Sequence, residues 1–300
     1  MEKMRRVYQY VEVPTKIASV IPFFTALAYC FFLNGNINIR SSLLFFVAML
    51  LFDMTTTMIN NYIDLRQAGK KGFFSRPVML AMIFCAFLPA ALIGLFLAWM
   101  HGPVFLLAGI FCFIVGISYT FGPMPISRSP YSELFSGLTM GFVLPFLVIT
   151  INMPPLVLLS FSGWEATAVF DLLGLLKFGL VCAPLVFCIS NIMLANNICD
   201  FEADRDTRYT MPHHIGIKNA VRLFAVLYSF CYLVIIVACV LGLIPWSCLI
   251  VMFTIIPVFK NVKRFTKKQV KSETFILAIK NFLFLLVPYA AGLFIGSWFT

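Results

Sequence analysis

A chain of 300 residues with 61% hydrophobic and 11% charged side chains, and a mean hydropathy of +0.97, is not an ordinary soluble domain, because soluble proteins carry about 25% charged residues. The formal net charge of +10 follows from membrane topology and affinity for anionic headgroups, and it requires no nucleic-acid partner. The nine Cys residues lie mostly inside apolar runs with no C-x-x-C pair. That spacing excludes a zinc ribbon or a disulfide framework and marks them as small buried hydrophobes.

A helix needs roughly 20 mostly apolar residues to cross a bilayer. Nine runs meet that need in chain order: 14–33, 41–59, 77–99, 103–121, 131–151, 172–195, 217–242, 244–259 and 275–297. The eighth is short, as a tilted or partly re-entrant segment would be. The runs are too continuous for the alternating strands of a barrel. The expected fold is therefore an all-α polytopic membrane protein with about nine transmembrane helices. The polar, basic start MEKMRRVYQYVEVP leads into a full span rather than a cleavable leader. Residues 152–171 form a moderately apolar outer loop containing Trp164, Glu165 and Asp171.

Of the 22 Lys and Arg residues, all but Arg40 and Lys177 fall on the N-terminus, on the loops after even-numbered spans, or on the helix ends beside them. By the positive-inside rule the N-terminus is cytoplasmic, as are 60–76, 122–130, 196–216 and 260–274. With nine spans the C-terminus lies outside.

The 12 acidic residues are unevenly placed. Five of them lie in two matching segments at the ends of spans two and six, Asn60-Asn61-Tyr62-Ile63-Asp64 and Asn196-Asn197-Ile198-Cys199-Asp200, the latter continuing as Phe201-Glu202-Ala203-Asp204-Arg205-Asp206. Residues four apart share a helix face. Asn196, Asp200 and Asp204 thus form one polar stripe, and Asn60 and Asp64 form another. Hard oxygen ligands of this kind suit Mg²⁺, which binds through a few carboxylates together with substrate phosphates and water. Lys70, Lys71, Arg76, Arg205 and Arg208 place positive charge beside both stripes, as a phosphorylated substrate needs. The recurrence after spans two and six is compatible with one domain, 1–300, built from four-helix halves at about 10–121 and 131–259 plus a last helix, 275–297.

The segment NNICDFEADRDTRYTMPHHIG resembles the second Asp-rich motif of the UbiA superfamily of intramembrane prenyltransferases, especially its 1,4-dihydroxy-2-naphthoate polyprenyltransferase branch. Asn196, Asp200, Asp204, Arg208, Thr210 and Pro212 carry that match. In SYTFGPMPISRSPYSELFSG, Tyr119, Thr120, Gly122, Pro123, Pro125, Glu133 and Gly137 resemble the branch's segment after span four; Pro14-Thr15-Lys16 and Pro22 resemble its first helix. The resemblance spans nearly the whole chain.

It implies helices around a central cavity open toward the cytoplasm. There Mg²⁺ assists transfer of a polyprenyl group from polyprenyl diphosphate to an aromatic acceptor. With 1,4-dihydroxy-2-naphthoate the product is demethylmenaquinone, a step of menaquinone biosynthesis at the cell membrane. Other acceptors used in the superfamily are 4-hydroxybenzoate, haem and a glycerol phosphate; transport of an anionic lipid or metabolite is a reading from another class. The resemblance assigns metal and diphosphate binding to Asn60, Asp64, Asn196, Asp200 and Asp204, with the three acids as catalytic residues. It makes Lys70, Lys71, Arg76, Arg128 and Arg208 diphosphate contacts, with Tyr119 and Thr120 beside them.

The first motif departs from the family form N-D-x-x-D-x-x-x-D: Asn61 stands for the first Asp and Ala68 for the last. Two arrangements remain open, one Mg²⁺ held chiefly by the second motif, or a second ion completed by diphosphate and water. Asp53, inside span two, is either a functional carboxylate at membrane depth or a buried hydrogen-bonding group of Thr56, Thr57 or a neighbouring helix. Lys280 is expected to snorkel to the cytoplasmic edge, and His213 and His214 to lie in a solvated loop. Cysteine labelling checks the topology: Lys70→Cys and Lys267→Cys should react with an impermeant reagent from the same side, and reaction from opposite sides contradicts nine spans.

Overall fold

The computed structural model describes residues 2–67, 69, 72–162, 165–205 and 207–299. A short amphipathic helix, α1 (Glu2–Val11), buries Tyr10 and Val11 and leaves its charges exposed. A 3₁₀ turn over Val13–Lys16 leads into α2 (Ile17–Asn34), which Gly35 ends in the left-handed conformation, φ 65°. Next come α3 (Ile39–Gln67), α4 (Arg76–His101) and α5 (Pro103–Ser118). α6 (Ser132–Leu138) passes through one π-helical turn, Thr139–Val143, into α7 (Leu144–Asn152). The second half holds α8 (Leu172–Cys199), α9 (Met211–Ile215) and α10 (Ile217–Val240). A 3₁₀ stretch, Trp246–Thr254, runs on into α11 (Ile255–Lys267), and α12 (Phe275–Gly296) closes the bundle.

Among the described residues, eight helical segments are long and apolar enough to cross a membrane, so the chain is a polytopic membrane protein. The two motif-bearing helices are the longest, 29 residues in α3 and 28 in α8. At 1.5 Å per residue they span about 42–44 Å, well beyond the ~30 Å hydrocarbon core. Their last turns, which hold Asn60, Asp64 and Asn196, therefore reach past the apolar layer.

Three features differ from expectation. The run 103–121 is helical only over the 16 residues of α5, about 24 Å; the helix ends ahead of Gly122, at φ 122°, and of Pro123 and Pro125, which have no N–H to donate. The eighth run is longer than it reads, because its basic continuation stays helical to Lys267. The segment 152–171 holds an antiparallel hairpin, β1 (Val157–Ser162) with β2 (Glu165–Phe170), pairing Val157 with Phe170 and Ser162 with Glu165, so the protein is all-α with one added ribbon. Asp171 then caps α8, its side chain accepting from the Gly174 amide at 2.8 Å.

α8 is the central helix. It buries Val181, Leu185, Cys188, Ile189, Leu194 and Ile198 in the main apolar cluster, against α6, α10 and α12. Lipid and core are equally apolar, so tight helix contact depends on small residues. Gly137 and Gly141, four apart, supply it. A Cβ on Gly141 would lie 2.5 Å from the amide nitrogen of Val186 and 2.6 Å from its Cα. The π turn at the same place adds the offset that lets this backbone approach α8.

Deeper in the bundle, Lys16 and Asp53 form an ion pair at 2.7 Å, both side chains nearly buried. Ser19 Oγ donates to the other Asp53 oxygen at 2.6 Å, and Lys16 Nζ also reaches Thr57 Oγ1 at 2.5 Å. Asp53 thus serves the neighbouring-helix role, tying α2 to α3.

Because Gly141 meets backbone atoms that cannot swing away, Gly141→Ala should lower unfolding stability in detergent by about 1–3 kcal/mol. Gly94→Ala, where nothing lies within 4 Å of the new methyl group, should be neutral or stabilising. Equal melting temperatures for the two variants would contradict this packing.

Candidate active site

The motif stripe at the end of α8 survives past the last regular helical residue. Asp200 N donates to Asn196 O at 3.0 Å, Asp204 N to Asp200 O at 2.8 Å and Arg208 N to Asp204 O at 2.9 Å. Four-residue spacing is therefore kept through Arg208, although the regular helix ends at Cys199. At the end of α3, Asn60 and Asp64 are half-buried.

Arg208 joins the two motifs. Its Nη2 lies 3.8 Å from Asp64 Oδ1 and its Nε 3.6 Å from Asp204 Oδ1. Lys271, in the α11–α12 connection, donates to Asp200 Oδ2. Thr120 Oγ1 donates to Asn60 Oδ1 at 3.0 Å, bringing the segment after α5 against the first motif. Arg128 follows in the same connection: its side chain donates to Gln67, and its carbonyl accepts from the Tyr209 amide at 3.1 Å. Tyr119 OH accepts from Ser136 Oγ at 3.2 Å. Asp64, Asp200, Asp204, Asn60, Asn196, Thr120, Arg128 and Arg208 thus gather at one end of the bundle.

Arg76 is exposed at the start of α4 and makes no ion pair with these carboxylates among the described residues. Lys70, Lys71 and Ala68 lie outside the described residues. Sequence motifs give no sign of Lys271, which is one of seven cations between Lys260 and Lys280 with nothing in their spacing to single it out.

Behind the stripe sits a buried polar knot. Glu133, 5% exposed, accepts from Asn197 Nδ2 at 2.8 Å and from Ser132 Oγ at 3.0 Å, and its carbonyl accepts from Ser190 Oγ at 3.0 Å. His213 is more ordered than a solvated loop residue. Its ring stacks on Phe201 at 4.5 Å, Nε2 donates to the Phe201 carbonyl at 3.0 Å and Nδ1 lies 3.0 Å from Thr210 Oγ1. That bracing holds the chain that follows the stripe; His214 is exposed.

The donor set is oxygen-only, as Mg²⁺ prefers. Among the described residues no three acids cluster closely enough to cage an ion by themselves. A cage is not needed where one or two carboxylates act with substrate phosphates and water. Asp204 Oδ2 is buried with no hydrogen-bond partner, an acceptor left open within the stripe. Burial pushes the Asp204 carboxyl above its ordinary pKa; Arg208 pulls against that shift and Asp200 adds to it. A bound cation would favour the charged form. The residues present therefore fit a magnesium–diphosphate ligand. Two open grooves lie elsewhere, one between α11 and α12 and one beside Asn34, Asn36, Asn38 and Asn152.

Known proteins share this architecture. The chain is 27% identical over 293 residues to the 1,4-dihydroxy-2-naphthoate octaprenyltransferase of Bacillus subtilis (strain 168), covering 91% of this chain and 86% of that protein. Its fold matches a structure concerning digeranylgeranylglyceryl phosphate synthase with a TM-score of 0.68, 14% identity, and coverage of 98% of this chain and 100% of that one. It also matches a UbiA homolog from Archaeoglobus fulgidus bound to GPP and Mg²⁺, with a TM-score of 0.66, 13% identity, and coverage of 98% and 99%. Those identities speak to fold alone. Residues 19–286, from the first span to the last and including both motif helices, match the model of the UbiA prenyltransferase family, and the chain belongs to that family.

Proposed function

We propose that this prenyltransferase transfers a polyprenyl group from polyprenyl diphosphate to 1,4-dihydroxy-2-naphthoate, giving the quinol form of demethylmenaquinone, at a site on the cytoplasmic side of the cell membrane. The observation that carries the site is Arg208, whose guanidinium lies between Asp64 of the first motif and Asp204 of the second. The naphthoate acceptor is supported by the second-motif ending Arg208-Tyr209-Thr210-Met211-Pro212 and by the name of the Bacillus subtilis relative. The cytoplasmic orientation is supported by the cations flanking both motifs, and the membrane setting by the eight helical segments among the described residues that are long and apolar enough to cross a membrane, with α5 apolar but shorter.

In the proposed reaction the allylic C–O bond breaks and diphosphate leaves. A C–C bond then forms at the ring carbon bearing the carboxylate, which departs as CO₂. Asn60, Asp64, Asn196, Asp200 and Asp204 would hold Mg²⁺, which when bound with the diphosphate neutralises the leaving group's charge. Arg208, Lys271 and Arg128 supply fixed positive charge around the departing diphosphate, in a setting drier than bulk water where such contacts act strongly. Arg208 and Lys271 pair with carboxylates of the two motifs, and a diphosphate bridging the motifs would share those cations. Thr120 orients the Asn60 amide oxygen by donating to it, and the Glu133–Asn197 bond fixes the rotation of α8 beneath the stripe.

Asp200→Ala and Asp204→Ala should each lower prenyl transfer by about 10²–10³, the usual loss for one strong transition-state contact, and EDTA should abolish it until Mg²⁺ is restored. The assay uses membranes, radiolabelled polyprenyl diphosphate and a panel of acceptors: 1,4-dihydroxy-2-naphthoate, 4-hydroxybenzoate, haem and a glycerol phosphate. Transfer to another acceptor alone would overturn the naphthoate reading. Full activity in chelator or in both variants would overturn the site, and no transfer to any acceptor would favour transport.

Arg208→Gln and Lys271→Gln should weaken geranyl diphosphate binding by roughly ten- to a hundredfold, the worth of a charged hydrogen bond, whereas Arg76→Gln should weaken it less. The same loss in all three variants would remove the distinction drawn from the ion pairs.

A further inference from the structure

A groove of about 500 Å³ between α11 and α12 is lined by Lys260, Asn261, Lys263, Arg264, Lys267 and Lys280. None of these residues belongs to the two motif segments. On α11, Val258, Val262 and Phe265 are buried, so helical geometry turns Lys260, Lys263, Arg264 and Lys267 outward together. No acid lines the groove, and none of its five cations forms an ion pair among the described residues. Asn261 Nδ2 donates to the fully buried Asn281 Oδ1 at 2.9 Å, holding the two walls together.

The groove changes character along its length. Counting back from Lys260 on α11, Ile256 shares its stripe and is 67% exposed, with Phe253 85% exposed one turn further. On α12 the stripe runs from Lys280 to Phe284 and Val287, both apolar and exposed. The two helices are sequence neighbours joined by a short connection, so their basic ends meet at one level and their apolar ends at another. Each wall thus passes from cationic to apolar in the same direction. That profile complements an amphiphile with an anionic head, and it lies where a cytoplasmic-side basic pocket between membrane helices meets lipid headgroups.

We propose that this groove binds the phosphate-bearing headgroup of an anionic bilayer phospholipid, with its acyl chains along Ile256, Phe253 and Val287. A free phosphate would use the cations but leave the apolar track unfilled.

The test is native mass spectrometry of the purified full chain in neutral detergent, titrated with phosphatidylglycerol or phosphatidylcholine. Phosphatidylglycerol should bind about tenfold or more tightly, from the charge contrast alone. Combined Lys263→Gln, Arg264→Gln and Lys267→Gln should erase that preference, while Lys3→Gln, Arg5→Gln and Arg6→Gln on α1 should leave it. Equal affinity for the two lipids, an unchanged preference in the groove variant, or complete displacement of lipid by millimolar inorganic phosphate would overturn the proposal. If the triple variant does not yield folded protein, Lys280→Gln on the opposite wall decides: it should reduce the preference severalfold, and full retention overturns the proposal.

Discussion

Carboxylates at the end of apolar helices must be compensated, and that requirement organises one whole end of this protein. Asp64, Asp200 and Asp204 all stand at that end, and burial opposes the ionisation of Asp204, with Asp200 adding to the effect. Each is paired with a cation: Asp64 with Arg208 of the second motif, Asp204 with the same Arg208 one turn along its own segment, and Asp200 with Lys271 of the α11–α12 connection. These pairs draw the ends of α3 and α8 and the α11–α12 connection onto one centre. The connection after α5 joins them through Thr120 and Arg128. The Lys16–Asp53 pair shows the contrasting case. There Lys16 donates to one carboxylate oxygen and Ser19 to the other, so the pair fastens two helices and offers no open ligand.

The helices were legible because a bilayer permits little else: long apolar runs must satisfy their backbone internally. The motif stripes were legible because acids are so rare in this chain that two matched sets stand out. The hairpin was not. Val157–Ser162 and Glu165–Phe170 alternate too weakly to signal strands, and a ribbon exists only once each segment finds its distant partner. Nor was the partner of Asp200, since choosing Lys271 over its basic neighbours requires the turn geometry that delivers it. Arg208 was visible from its motif position, but its place between two carboxylates from different helices is a tertiary fact. The lengths of α3 and α8 were underestimated for a simple reason: hydropathy marks the membrane, while the helices continue into the polar motif.

The paired asparagines explain much of what the motif is for. Adjacent residues on a helix point about 100° apart, so Asn60-Asn61 and Asn196-Asn197 face two directions. Asn60 shares a stripe with Asp64, and Asn196 shares one with Asp200. The second member of each pair turns to a neighbour. Asn61 Nδ2 donates to the Tyr10 carbonyl at 3.0 Å, fixing α1 against α3, and Asn197 Nδ2 donates to Glu133 and Ser132, fixing α6 against α8. An aspartate at 61 would have no hydrogen to donate to that carbonyl. Asn61 therefore trades a carboxylate for a structural bond that secures the α1 helix, and the first motif keeps only Asp64 facing the second. In the proposed reading that exchange leaves more of the cation binding to the stripe Asn196, Asp200, Asp204, where Asp204 Oδ2 is buried without a hydrogen-bond partner.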